Sequence, residues 1–180
     1  MGTLTLLLGG ARSGKSALAQ RWGEERGEGR VLFIATAQAL DEEMAQRIAR
    51  HRAERPASWR TVEAPLRVGE ALQRHYAGER VVIVDCITLL IGNVVLQVDE
   101  KGEEAVRAEA RREAEALVRV GKDIPAEILV VSNEVGMGLV PPYPLGRVYR
   151  DVLGEVNQYL ARSADRVYFL IAGIPWQLKP

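Results

Sequence analysis

The sequence is poor in cysteine, since Cys86 is the only one among 180 residues. One cysteine excludes an intramolecular disulfide, and it excludes a zinc or iron–sulfur site built from several thiolates of one chain. Disulfides are rare in reducing compartments, so this usage predicts a cytoplasmic protein. Cys86 itself is interpreted as a small buried side chain rather than a reactive thiol.

A net charge is also lacking, because 24 Lys and Arg residues balance 24 Asp and Glu residues. No overall field would attract a nucleic-acid backbone or an anionic membrane, so any anion site must be local. The longest apolar runs, such as 81–84 and 128–131, are strand-sized, whereas a membrane helix needs about 20 residues. We therefore expect no nucleic-acid partner, no membrane span and no signal peptide.

The chain length of 180 residues predicts one domain covering residues 1–180, which can bury about 70% of the surface that the unfolded chain exposes. Short apolar runs alternate with helical patterns, which is typical of an α/β fold with a mostly parallel sheet covered by helices on both faces. The predicted strands are Thr3–Leu8, Val31–Thr36, Val81–Asp85, Ile128–Ser132 and Val167–Ala172, with Trp59–Glu63 as a shorter edge candidate.

Four helices are predicted from apolar spacing and caps, over Ser16–Arg26, Asp41–Arg52, Glu103–Val120 and Arg147–Arg162. The third is rich in Ala, Glu and Arg and predicts a mostly solvent-exposed surface helix. The fourth repeats apolar residues every four positions and predicts packing on the sheet. Three prolines within residues 137–146 predict a loop there.

A glycine-rich segment follows the first strand and opens the first helix. Its residues Gly9-Gly10-Ala11-Arg12-Ser13-Gly14-Lys15-Ser16 match the pattern G-x-x-x-x-G-K-[ST]. Glycines let backbone N–H groups converge on phosphate, and the helix N-terminus adds a favourable dipole. Lys15 would reach the β- and γ-phosphates and Ser16 would ligate Mg²⁺. The pattern predicts a nucleoside triphosphate site; the alternative is a glycine-rich turn with a chance lysine. Arg12 either contacts phosphate or is an exposed loop residue.

Asp85 ends an apolar strand, and in phosphate-loop proteins such a carboxylate holds Mg²⁺ through water. The alternative role is to cap the following helix.

The chain has no Asn-Lys-x-Asp, which argues against a signalling GTPase, and no basic, aromatic-rich surface typical of a nucleic-acid motor. A phosphate loop alone does not fix the substrate.

Two histidines are present, and their positions differ. His51 lies near the end of the second predicted helix on the same stripe as Met44 and Ile48. From spacing alone it is a core or boundary side chain. His75 follows a short helical stretch, where it would interact with the helix dipole.

Together these segments resemble the cobinamide kinase/cobinamide-phosphate guanylyltransferase family. The matching residues are Gly9–Ser16, Ile34–Ala37, His51-Arg52, Arg55-Pro56, Trp59–Glu63, Asp85–Leu89 with Asn93, Val131–Gly138, Arg147, Arg150-Asp151, Asn157-Gln158 and Ala164-Asp165. The resemblance covers nearly the whole chain. The Asn-Glu-Val-Gly-Met-Gly run is more specific than the phosphate loop.

The resemblance implies a bifunctional enzyme of late cobalamin biosynthesis with a RecA-like phosphate-loop domain that forms a homotrimer. It would phosphorylate the aminopropanol hydroxyl of adenosylcobinamide with ATP or GTP, then transfer GMP from GTP to give adenosylcobinamide-GDP and pyrophosphate. The guanylylated histidine of the family falls on His51. A neutral imidazole is a competent nucleophile toward an α-phosphorus.

The same resemblance implies which residues contact the nucleotide. Besides the phosphate loop they are Ala35, Thr36, Ala37, Arg52, Ala53, Glu54, Arg55, Glu63 and Asp85. The Glu63 carboxylate can accept hydrogen bonds from guanine, although a surface strand residue is the alternative. Asn133 or Glu134, just after a strand, would orient or deprotonate the attacking hydroxyl. Because the two steps use different phosphorus atoms, we expect the triphosphate to rebind or the His51 helix to move.

Two segments depart from the family pattern, and both concern the corrinoid side. Residues 141–145 are proline-rich where a more polar stretch is expected, and residues 90–92 lack a common aromatic side chain. Two alternative functions stay open at this point. One is a monofunctional phosphate-loop kinase of small molecules, and the other is a GTP-binding regulatory module without transfer activity.

Overall fold

A computed structural model describes residues 2–53 and 55–180. Glu54, one of the residues expected to contact nucleotide, lies outside the described residues. The described part is built around one seven-stranded sheet. None of its helices has the length and apolar character needed to cross a membrane.

The sheet is mostly parallel, as the sequence predicts. Its strands are β1 (Thr3–Gly9), β2 (Val31–Ala35), β3 (Arg60–Glu63), β4 (Val81–Asp85), β5 (Glu127–Val131), β6 (Arg166–Ile171) and β7 (Ile174–Lys179). Their order is β3-β2-β4-β5-β1-β6-β7, with β7 antiparallel to β6. Leu7 and Asp85 both pair with Val131, so β5 separates β1 from β4. Both strands therefore end at the same edge of the sheet.

Strand β7 is the one strand that the sequence analysis missed, and helices over Val68–His75 and Ile87–Val98 were not among its four predicted helices. It follows β6 through a two-residue turn, in which Ala172 and Gly173 have φ of 51° and 83°. Two successive positive φ values are typical of the tight hairpin turn that matches strand twist. Pro175 is tolerated because β7 is the edge strand.

Helices cover both faces of the sheet, which confirms the predicted α/β class. They are α1 (Lys15–Gly27), α2 (Glu42–Ala53), α3 (Val68–His75), α4 (Ile87–Val98), α5 (Glu103–Asp123) and α6 (Pro144–Ser163), with a 3₁₀ turn at Asp99–Lys101. Side chains of α1, such as Leu18, pack on one face with Leu7 and Phe33. Helices α3 to α6 pack on the other face in a larger core.

Helix α5 is less exposed than its composition predicts. Val106, Ala110, Ala114 and Leu117 form one face and are each at most 2% exposed. They lie where α5 packs against α3 and α6. The prediction of a mostly solvent-exposed helix is therefore wrong, because alanines in this composition serve as close helix–helix contacts rather than as surface residues.

Glu113 of α5 is buried for a structural reason. Its carboxylate accepts hydrogen bonds from the backbone N–H groups of Arg67 and Val68, the latter at 3.1 Å. These groups begin α3 and have no acceptor within that helix. Burial raises the pKa of Glu113, and the two backbone hydrogen bonds oppose this shift.

The proline-rich loop is shorter than predicted because Pro144 is the first residue of α6. Proline is tolerated there since its φ suits the helix and its missing N–H would have no intrahelical partner. The predicted loop over 137–146 is therefore wrong for its last three residues. The remaining segment connects the carboxyl end of β5 to α6.

Candidate active site at the carboxyl edge of the sheet

The glycine-rich segment forms a tight turn between β1 and α1. Gly9 has φ of +150°, and a Cβ there would lie 2.6 Å from the Leu170 carbonyl oxygen. Gly14 has φ of +95°, and a Cβ there would lie 3.3 Å from the Cα of Gly173. Only glycine fits both positions without strain. The first turn of α1 then offers unpaired backbone N–H groups to an anion.

Two neighbouring segments hold this turn in place. The N–H of Glu134 donates to the Gly9 carbonyl at 3.0 Å, and the N–H of Gly173 donates to the Ser13 carbonyl at 3.0 Å. The segment after β5 and the β6–β7 turn therefore support the phosphate loop from opposite sides. Arg12 is exposed with φ of 57°, so its contact to phosphate stays a prediction.

Lys15 is buried and folds back over the loop. Its Nζ donates to the Gly10 carbonyl at 2.6 Å and to Ser13 Oγ at 3.3 Å. Burial lowers the pKa of Lys15, and the negative charge of Asp85 opposes that shift. The ammonium group therefore lies inside the loop, where the predicted phosphates would sit.

Asp85 lies at the centre of the candidate site. Burial raises the pKa of Asp85, while a hydrogen bond from Ser16 and the charges of Arg55, His51 and Lys15 oppose this shift. These residues come from α1, α2 and the segment after α2. The fold thus brings together on one carboxylate several of the side chains that the sequence analysis assigned to catalysis, nucleotide and metal.

The pair of Ser16 and Asp85 fits a magnesium site. A hydroxyl and a carboxylate are the hard oxygen ligands that Mg²⁺ takes, usually with waters and substrate phosphates as its other ligands. Among the side chains that the structure describes, no group of three or more His, Cys, Asp and Glu residues could hold a metal.

Thr36 lies beneath the site rather than at its surface. Its buried hydroxyl accepts from the Cys86 N–H at 2.8 Å and donates to the Cys86 carbonyl at 2.7 Å. Asn93 donates to the Thr36 carbonyl at 2.8 Å. These bonds fix the chain next to Asp85. A backbone contact of Ala35, Thr36 or Ala37 with nucleotide stays a prediction.

The Cys86 thiol is not reactive at neutral pH. Burial raises the pKa of Cys86 to about 11, so its thiol is neutral at pH 7.

Helix α2 ends beside Asp85. His51 is half-buried in its last turn, close enough that a positive charge on its imidazole would lower the pKa of Asp85. Arg52 and Ala53 are exposed, and Arg52 Nη1 lies 3.7 Å from Oε1 of Glu63 at the end of β3. The predicted guanine ligand Glu63 therefore already has a cationic neighbour, while its contact with guanine stays a prediction.

Arg55 is a stacked and partly desolvated cation. Its guanidinium carbon lies 3.6 Å from the centroid of the Phe33 ring. Burial lowers the pKa of Arg55, and Asp85 opposes this. Its buried Nε has no hydrogen-bond partner among the described residues. Arg55 thus has donor capacity left for a phosphate or carboxylate ligand.

A buried polar network positions the segment after β5. Ser132 Oγ donates to Asn157 Oδ1 at 2.6 Å, Asn157 Nδ2 donates to the Asn133 carbonyl at 3.0 Å, and the Asn133 N–H donates to Thr88 Oγ1 at 2.8 Å. The sequence analysis gave Thr88 and Asn157 no role. An asparagine beside the apolar stripe of a sheet-packing helix was the available signal, because buried polar groups need partners.

Comparison with known proteins shows the family of the chain. The family model of cobinamide kinase / cobinamide phosphate guanyltransferase matches residues 5–178. The chain is 45% identical over 174 residues to the bifunctional adenosylcobalamin biosynthesis protein CobP of Pseudomonas aeruginosa, covering 97% of this chain and 96% of that one. It is 38% identical over 182 residues to CobU of Escherichia coli, covering 98% and 99%.

Solved structures of more distant proteins share the fold. The flagellar accessory protein FlaH of Methanocaldococcus jannaschii is 16% identical, with a TM-score of 0.51 over 98% of this chain and 78% of that one. A KaiC-like protein of Pyrococcus horikoshii is 15% identical, with a TM-score of 0.54 over 93% and 70%. At this identity the likeness concerns architecture alone. The family match over nearly the full length goes further: the chain belongs to the cobinamide kinase/cobinamide phosphate guanyltransferase family.

Proposed function

We propose that the chain is a bifunctional transferase, which phosphorylates the aminopropanol hydroxyl of adenosylcobinamide and then caps that phosphate with GMP from GTP. Family membership supports both activities. The observation that carries the proposal is the convergence of His51, Lys15 and Arg55 on Asp85. A kinase alone needs the phosphate loop and the carboxylate, whereas a nucleophilic imidazole beside them serves a second transfer.

In the kinase step the substrate hydroxyl oxygen attacks the γ-phosphorus of ATP or GTP. The bond from that phosphorus to the β–γ bridging oxygen breaks, and the nucleoside diphosphate leaves. The proton of the hydroxyl passes to Glu134 or to water, with Asn133 as an orienting group. Lys15, whose Nζ donates to the Gly10 carbonyl of the loop, would stabilise the charge that develops on the β–γ oxygen.

In the guanylyl step a ring nitrogen of His51 attacks the α-phosphorus of GTP. The bond to the α–β bridging oxygen breaks, pyrophosphate leaves, and the other ring nitrogen gives its proton to water. A phosphate oxygen of adenosylcobinamide phosphate then attacks the same phosphorus, and the N–P bond breaks while the other ring nitrogen takes a proton back from water, which regenerates neutral His51. Two easier displacements replace one difficult displacement.

Specificity for guanine would come from Glu63. A carboxylate accepts hydrogen bonds from both the N1–H and the amino group of guanine, which adenine cannot supply. Among the described residues, the ion pair of the exposed Glu63 side chain is with Arg52, at 3.7 Å. The guanine base would replace Arg52 beside the Glu63 carboxylate. The α2 segment that carries His51 and Arg52 would move, or the triphosphate would rebind, between the two steps.

Magnesium bound by Ser16 and Asp85 would supply charge neutralisation at the phosphates. Because burial raises the pKa of Asp85, this carboxylate takes up a proton at higher pH than an ordinary aspartate and then loses its affinity for the cation. Kinase kcat/KM is therefore expected to fall as the pH decreases through that raised pKa. Raising the Mg²⁺ concentration should move this acid limb to lower pH, because cation and proton compete.

The measurement is kinase kcat/KM against pH at two Mg²⁺ concentrations. Asp85→Asn should lower activity about 100-fold and leave a profile whose acid limb no longer responds to Mg²⁺. Asp123→Asn, at the exposed end of α5, serves as the matched control and should behave as the unmodified protein. An acid limb of the unmodified protein that ignores Mg²⁺ would contradict the assignment.

A homotrimer and a cytoplasmic location complete the proposal. Support for self-association comes from β7, where Ile174, Trp176 and Leu178 alternate along the strand and are 70%, 63% and 52% exposed. An apolar face of this kind is typical of an interface. Sedimentation equilibrium would give the number of copies.

The single cysteine supports the proposed cytoplasmic location, because disulfides are rare in reducing compartments.

The proposed function is tested by incubating the protein with Mg²⁺ and GTP labelled at the α-phosphorus, without corrinoid. We expect label on His51 that is stable in alkali and labile in acid, as an N–P bond is, and that moves to adenosylcobinamide phosphate when this is added. GTP labelled at the γ-phosphorus should give no such adduct. Binding of GTP without any covalent label would overturn the second activity.

A further inference from the structure

The segment after the candidate site is apolar and exposed. Residues 135–146 contain no Asp, Glu, Lys, Arg or His, although 27% of the chain is charged. Met137, Leu139 and Val140 are 82%, 97% and 64% exposed, and Tyr143 and Leu145 are also exposed. We name residues 135–146 the apolar platform. Exposed apolar surface of this extent is typical of an interaction site.

The platform is fixed by internal contacts. Arg147 Nη1 donates to the carbonyls of Pro141 and Pro142 at 3.1 and 2.9 Å. The Tyr143 ring covers Gly146 so closely that a Cβ there would lie 2.4 Å from a ring carbon. Prolines restrict residues 141–144, and in the first half of the platform the Gly138 N–H donates to the Val135 carbonyl at 3.4 Å. A fixed apolar surface loses little conformational entropy when a ligand covers it.

The platform is continuous with the phosphate loop. It begins directly after Glu134, whose N–H donates to the Gly9 carbonyl at 3.0 Å and whose carboxylate accepts from the Gly136 N–H at 2.6 Å. At its other end, Tyr149 of α6 donates to the Thr88 carbonyl in the first turn of α4 at 3.2 Å. A ligand on the platform would thus place one arm next to the γ-phosphate.

We propose that the apolar platform binds the corrin macrocycle of the substrate, an inference that rests on the proposed function. The edge of a corrin carries methyl groups and uncharged amide side chains, so it suits a surface with exposed apolar side chains and no charges. Backbone carbonyls of the platform can accept hydrogen bonds from those amides, since a carbonyl oxygen has two lone pairs. The aminopropanol arm then extends past Glu134 toward Lys15, where the proposed phosphoryl transfer takes place.

The test introduces a charge into the platform with Leu139→Asp and, separately, Val140→Asp. Both side chains are exposed, so folding is expected to be retained. KM for adenosylcobinamide should rise at least about tenfold in the kinase assay, while KM for GTP and the rate of guanylylation of His51 without corrinoid stay unchanged. The conservative variant Leu139→Met should keep the KM of the unmodified protein. Ala57→Asp, an exposed site in the turn before β3, is the charge control.

Equilibrium dialysis of adenosylcobinamide, followed by its visible absorbance, gives the same comparison without turnover. Weaker binding by the two charged variants but not by Ala57→Asp supports the platform, whereas equal binding overturns it. If Leu139→Asp changes the sedimentation of the protein and leaves corrinoid binding intact, the platform contacts a second copy and the proposal fails. Absence of a His51 adduct in every variant would instead overturn the proposed function.

Discussion

Replacing His51 with alanine is expected to lower guanylyl transfer at least about 1,000-fold and to leave kinase activity within about threefold of the unmodified protein. Removing a nucleophile eliminates the covalent route, so only the slow direct displacement remains. The kinase step needs Lys15, Ser16 and Asp85, none of which the substitution removes. The measurement is product formation from adenosylcobinamide and GTP, in which adenosylcobinamide phosphate should accumulate.

The matched control is His75→Ala, which removes the other histidine, at the end of α3. That variant should keep both activities, because α3 ends away from the contacts around Asp85. If His51→Ala still makes adenosylcobinamide-GDP at an undiminished rate, the imidazole is not the nucleophile. If both activities disappear while the protein stays folded, His51 acts on the triphosphate itself rather than through an adduct.

The strands could be predicted because their signal is local. Val81–Asp85 is buried on both faces and reads as a continuous apolar run, so its boundaries match the structure. Strand β7 carries the opposite signal: a proline, and apolar residues that alternate but remain exposed. Strand β7 forms because β6 offers an unpaired edge directly after a two-residue turn. The residues of β7 alone do not carry that information.

The candidate site could likewise be predicted only where its signal is local. The phosphate loop is a local motif in which conformation and ligand chemistry come from eight adjacent residues, and the structure forms the expected strand–turn–helix. The bonds between Thr36 and Cys86 join residues 50 positions apart, and Arg55 stacks on Phe33 across the fold. Such pairs depend on strand order, which puts β2 beside β4, and single-sequence patterns do not specify strand order.

Substituting Lys15 with alanine is expected to lower kinase kcat by about 100- to 1,000-fold. The ammonium group is held over the loop by Gly10 and Ser13, and the proposed phosphates would replace these partners with stronger, charged ones. Guanylyl transfer should also fall, because the leaving pyrophosphate carries the same β- and γ-phosphates. The measurement is the single-turnover rate of each half-reaction with saturating GTP.

The control for lost charge is Lys101→Ala, in the exposed 3₁₀ turn, and it should retain both rates. Because Lys15 is buried and hydrogen-bonded, thermal melting of Lys15→Ala checks that the variant is folded before its rates are compared. The two variants then separate the steps, since Lys15 acts on phosphates that both reactions use and His51 on the α-phosphorus that one reaction uses. A Lys15→Ala protein with an unchanged kinase rate would mean that the loop binds phosphate through its backbone alone, and the charge of Lys15 would have no part in the transition state.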